Sequence, residues 1–124
     1  MEHEIPFEAM HFRNDRYRKE RGGQTRMIEI SCASCDELLM VYQKDGYPKQ
    51  HLFRTYLNRI FWPEELEQLQ YQAQSTGDMP SLDCPTCHTK VGTPMEYKDG
   101  RLAYGLLQGT WKRTAITNQR QFGK

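Results

Sequence analysis

The chain has 124 residues, a formal net charge of +1 and a hydrophobic share of 37%, the balance of a single domain in water with a modest core. No apolar run approaches the roughly 18 residues that a membrane span requires. The opening stretch MEHEIPFEAMHFRNDRYRKER is charged throughout and has no apolar h-region. No secretory signal is therefore expected, and the expected location is intracellular, in the cytoplasm and away from membranes.

The near-zero total hides an uneven distribution. Residues 13–26 carry Arg13, Arg16, Arg18, Lys19, Arg21 and Arg26 against Asp15 and Glu20, and residues 111–124 carry Lys112, Arg113, Arg120 and Lys124 with no acid. Between them, residues 27–110 hold seven Lys/Arg against eleven Asp/Glu. An acidic middle with basic ends is the informative feature.

Residues 1–25 follow neither the helical nor the strand period and reach Gly22-Gly23, which reads as a basic N-terminal arm. The alternation in MIEIS, residues 27–31, predicts a strand, and the apolar run ELLMVYQ, residues 37–43, predicts a second one closed by Lys44-Asp45-Gly46. Residues 51–61, HLFRTYLNRIF, place Leu52, Phe53, Tyr56, Leu57, Ile60 and Phe61 at helical spacing. With period 2, Phe53, Thr55, Leu57 and Phe61 share a face with only Arg59 intruding, and the β-branched and aromatic content favours a strand. Pro63 before Glu64 and Glu65 suits the first turn of one short helix running to about Gln72, and QSTGDMPS is a loop. TPMEYK, Asp99-Gly100 and RLAYGLLQ form a hairpin signal, with Asp-Gly supplying the positive φ values of a type I′ turn. TWKRTAI, residues 110–116, is a further strand. The expected organisation is an arm at 1–25, a zinc-binding β domain at 26–116 and a C-terminal tail at 117–124.

All four cysteines fall into two C-x2-C pairs, Cys32/Cys35 and Cys84/Cys87. Two thiolates three residues apart on a tight turn converge on one ion, and two such knuckles complete a tetrahedron. No cysteine is left over, as a closed structural site requires. The expected cofactor is one structural zinc; iron in a rubredoxin-like site would use the same ligands. CPTCH, residues 84–88, also spells a haem attachment motif, but that reading ignores Cys32 and Cys35 and needs export, so no haem is expected. His88 then belongs to the loop beside the second knuckle, within reach of a thiolate.

The layout CASCDELL … CPTCHTKVG followed by YKDGRLAYGLL resembles the β-tent fold of Yippee-type proteins. That group includes the cereblon ligand-binding domain, the RNA-sensing domain of innate-immune helicases and methionine sulfoxide reductase B. The resemblance spans about residues 27–107 and implies a mainly β fold, β-tent-like or an enlarged zinc ribbon, with metal at Cys32, Cys35, Cys84 and Cys87. The reductases of this group attack the sulfoxide with a free thiolate, and this chain has no spare cysteine.

No phosphate-binding glycine loop and no Ser-His-Asp pattern is present, and a full thiolate set leaves the metal no open position. A non-catalytic module for interaction or assembly is the expectation, with a protein complex as partner. Nucleic acid is a second partner class, through Arg13, Arg16, Arg18, Arg21, Lys112 and Arg113 with aromatics such as Tyr17 beside them. Phe61, Trp62 and Trp111 are candidate contact residues. A pocket for a small ligand and a thiol or iron redox protein are the alternatives.

Overall fold

The computed structural model describes residues 5–20, 24–46 and 53–123. Arg21, Lys124 and the start of the 51–61 segment lie outside the described residues. The alternation at 27–31 becomes strand β1 (Thr25–Cys32), paired antiparallel with β2 (Leu38–Asp45). Ile28, Ile30 and Cys32 join the main core with Met40 and Tyr42, whereas Met27 and Val41 join a second apolar cluster. Both faces of the hairpin are thus covered, which is why ELLMVYQ reads as a continuous apolar run.

The 51–61 segment is not one strand. It resolves into β3 (Arg54–Tyr56), a 3-10 turn at Leu57–Arg59 and β4 (Ile60–Trp62). Its mixed periodicity records a change of sheet, because β3 pairs with one sheet and β4 with the other. After Pro63 come two helical turns, Glu64–Glu67 and Leu69–Gln72, in the place expected for the short helix. The chain continues through β5 (Leu82–Asp83), β6 (Lys90–Glu96), β7 (Leu102–Leu106) and β8 (Trp111–Ala115).

The protein is mainly β. The described residues form two four-stranded sheets, ordered β4-β2-β1-β8 and β3-β7-β6-β5, in which every pairing is antiparallel. The main core, including Ile30, Leu57, Ile60, Leu82, Val91 and Tyr104, lies between them. A hydrogen bond also crosses the gap: the Tyr56 backbone N–H donates to the Tyr42 hydroxyl at 3.0 Å. Burial pushes the Tyr42 phenol up from its ordinary value, so this acceptor stays neutral.

The β6–β7 turn differs from the expected type I′ form. Gly100 has φ 92°, but Asp99 is not among the positive-φ residues. The Gly100 N–H donates to the Tyr97 carbonyl (2.9 Å) and the Tyr97 N–H to the Arg101 carbonyl (2.8 Å). This is a type I turn closed by a glycine bulge. Asp99 is held in place because its carboxylate accepts from the Arg101 backbone N–H (3.0 Å) and guanidinium (2.9 Å). Gly100→Ala is expected to lower stability by about 1–2 kcal/mol in a urea titration, the cost of a Cβ at positive φ.

The terminal segments are not free arms. Met10 and Phe122 are buried with Met27 and Val41, and Ile5, Phe7 and Phe12 pack around them. The rings of Phe7 and Phe12 lie 6.4 and 5.8 Å from that of Phe122. Two glutamines clip the segments down. The Gln43 side chain accepts from the Arg13 N–H (2.6 Å) and donates to its carbonyl (3.0 Å). Gln119 does the same at Met27, at 2.8 and 3.0 Å. Residues 5–13 and 116–122 therefore cover the outer face of the first sheet, supplying apolar side chains at irregular spacing that no periodic pattern reveals.

Candidate metal centre

Each cysteine pair sits in the turn of a hairpin: Cys32/Cys35 between β1 and β2, and Cys84/Cys87 between β5 and β6. The two turns are built alike. Cys32 N–H donates to the Glu37 carbonyl and Asp36 N–H to the Cys32 carbonyl, at 2.8 and 3.0 Å; Cys84 to Thr89 and His88 to Cys84 repeat this at 2.8 and 2.9 Å. The residue after each second cysteine, Asp36 (φ 66°) or His88 (φ 64°), is left-handed. Among non-glycine residues, Asp and His are enriched in that region.

This geometry brings one hairpin turn from each sheet together. The sulfurs of Cys32 and Cys87 lie 3.6 Å apart, those of Cys35 and Cys84 3.5 Å apart, and all four lie within 4.8 Å of one another. Sulfurs at about 2.3 Å from a central ion at tetrahedral corners are about 3.8 Å apart. A disulfide would need about 2.05 Å. The donor set fits a thiolate-bound divalent ion, and the two cysteines of CPTCH are turned towards the other pair. Cys32 and Cys84 are buried, Cys35 and Cys87 exposed.

Four thiols this close cannot all ionise without a counter-charge. The Thr89 hydroxyl, 3.1 Å from the Cys87 sulfur, and then its backbone N–H hold Cys87 down to about 6, with the Cys32 and Cys35 thiols adding to the effect. Cys35 has the Glu37 backbone N–H lowering it, but desolvation and the thiols of Cys84, Cys87 and Cys32 push it up to about 12. A divalent ion removes this conflict by stabilising every thiolate at once. Thr89, not His88, is the side chain on a cysteine sulfur. Around the site, the Thr86 hydroxyl donates to Glu37 (2.7 Å), tying one knuckle to the other, and Lys112 pairs with Asp36.

Of the six cations expected to meet nucleic acid, the five that lie among the described residues do not gather on one edge of the fold. Lys112 and Arg113 are on β8, one edge of the first sheet, whereas Arg13 lies by β2 and β4 towards the other edge. Arg13, Arg16 and Arg18 stack on Phe61, Tyr17 and Phe12 of their own chain, at 5.1, 4.8 and 5.2 Å. Phe61 packs in the second apolar cluster and Trp111 against the main core, both half-buried; Trp62 packs in the second cluster and also lines a groove.

Sequence reading missed Arg59. It is 1% exposed, with its Nη1 and Nη2 donating to Asp15 (3.0 and 2.6 Å) and its Nε to Asp45 (2.8 Å). The signal was present as a lone charge on an otherwise apolar period-2 face. Comparison with known protein families, curated proteins and solved structures finds no match for this chain. No helix among the described residues is long and apolar enough to cross a membrane.

Proposed function

We propose that this protein is a zinc-pinned, non-catalytic binding module. The observation that carries the reading is that all four cysteine sulfurs lie within 4.8 Å of one another, where the turns of two different sheets meet. Four thiolates fill the coordination sphere of zinc, so the ion has a structural role and no open position for substrate. The β-tent resemblance likewise implies a metal at these four cysteines. Protein is favoured over nucleic acid as the partner, because the basic side chains are divided between two edges and several are occupied by their own aromatics or by Asp36.

Elemental analysis of protein purified without chelator should find one zinc for the four cysteines. Thiol labelling should be slow until a chelator is added and rapid afterwards, led by Cys87. Iron, or folded protein without metal, would reject the zinc reading. Rapid labelling of metallated protein, with turnover of a disulfide or methionine sulfoxide substrate, would replace it with the redox alternative.

A further inference from the structure

Beside the cysteine cluster runs a groove of about 690 Å³. Its floor is apolar, with Leu39, Trp62, Leu66 and Leu82 among the lining residues, and its rim carries Glu37, Glu64, Glu65 and Asp83. Among the described residues no lysine, arginine or histidine lines it. Elsewhere on the molecule Asp15, Asp36, Asp45, Glu67 and Asp99 are each within ion-pair distance of a cation, but among the described residues none of these four rim carboxylates is.

We infer that this groove is a docking site for an extended, lysine- or arginine-rich segment of a partner protein carrying an apolar anchor. Three observations agree on that occupant. The rim is uniformly acidic over an apolar floor, which complements a segment with both features. The cysteine cluster is adjacent, since Pro85 and Thr86 of the second knuckle line the groove, and with one divalent ion bound its four thiolates would carry two net negative charges. Finally, Trp62 belongs to β4 and Leu82 and Asp83 to β5, and each is the outermost strand of its sheet. A sheet edge offers main-chain hydrogen bonds to an extended peptide, while the pocket selects its side chains. The chain's own basic segment does not fill the groove, since Arg13, Arg16 and Arg18 are held on Phe61, Tyr17 and Phe12. Nucleic acid is repelled by the same charges.

This assignment rests in part on the metal reading, so metal content is measured on every sample to separate the two. The probe is a short fluorescent peptide of alternating lysine and leucine, titrated into the full chain at low salt. It should bind, weaken as salt rises, and lose about tenfold or more in affinity against Glu64→Lys/Glu65→Lys. The milder Glu64→Gln/Glu65→Gln pair should fall between the two. In nuclear magnetic resonance the Trp62 indole should shift and the Trp111 indole should not. The inference is overturned if a glutamate–leucine peptide or polyuridine binds as well, if the charge variants bind like the parent with metal intact, or if Trp111 shifts instead. It is overturned equally if the charge variants dissociate a dimer of this chain without changing peptide affinity.

Discussion

Cys84→Ser is expected to abolish the cooperative unfolding transition. Cys84 is fully buried and its sulfur lies 3.5 Å from that of Cys35, the residue across the two hairpins. A serine hydroxyl does not ionise near neutral pH, so the fourth ligand is lost and the remaining thiols return to mutual conflict. Structural zinc is worth about 10–16 kcal/mol in small peptides, against a net stability of about 5–15 kcal/mol for a whole domain. The metal-dependent share is therefore as large as the whole net stability of an ordinary domain. Circular dichroism and limited proteolysis should report a chain that is unfolded or aggregated, and chelation of the unaltered protein should reach the same state. A sharp transition in metal-free Cys84→Ser, close to that of the parent, would show that the sheets hold without the ion.

The cysteine site was legible in the sequence because metal chemistry leaves little freedom: two C-x2-C pairs with none to spare have one economical use. The β1–β2 hairpin was legible for a related reason, since the alternation and the closing Gly46 are local. What escaped depends on partners distant in the chain. Met10, Phe12 and Phe122 look isolated among polar residues, yet together they cover a face that β1 and β2 leave apolar. The 51–61 segment carries two periods because it serves two sheets in turn. Asp-Gly predicted the right place for a turn but the wrong type, because the Arg101 contacts to Asp99 are not encoded in the dipeptide.

Arg59 is the second fastening of the fold, at the end of β2 away from the metal. It ends the 3-10 turn where the chain passes from β3 in one sheet to β4 in the other. Its guanidinium bonds Asp45 at the end of β2 and Asp15 in the docked N-terminal segment. Arg59→Met keeps much of the aliphatic volume but leaves two carboxylates facing one another without their cation. Breaking a buried charged network by removing one partner costs about 3–5 kcal/mol. Asp15 is 38% exposed and softens that toward the lower end by taking up water, but Asp45 is 9% exposed. The sign of the pH dependence follows from Asp15, whose carboxyl is held below its ordinary value of 3.8 chiefly by the hydrogen bond from Arg59. A lowered carboxyl contributes stability above its unfolded value and loses it as pH falls through the folded value. In Arg59→Met that contribution is gone, and protonation of Asp15 instead relieves its repulsion by the neighbouring carboxylate. Urea titrations should therefore find the largest deficit near neutral pH and a narrowing gap as pH falls through the ordinary aspartate value of about 4 and below it. Hydrogen exchange should rise first at the Arg13 amide, because losing the Asp15 anchor loosens the segment next to its Gln43 clip. A deficit that stays constant with pH would mean that lost packing, and not the charge network, is what Arg59 contributes.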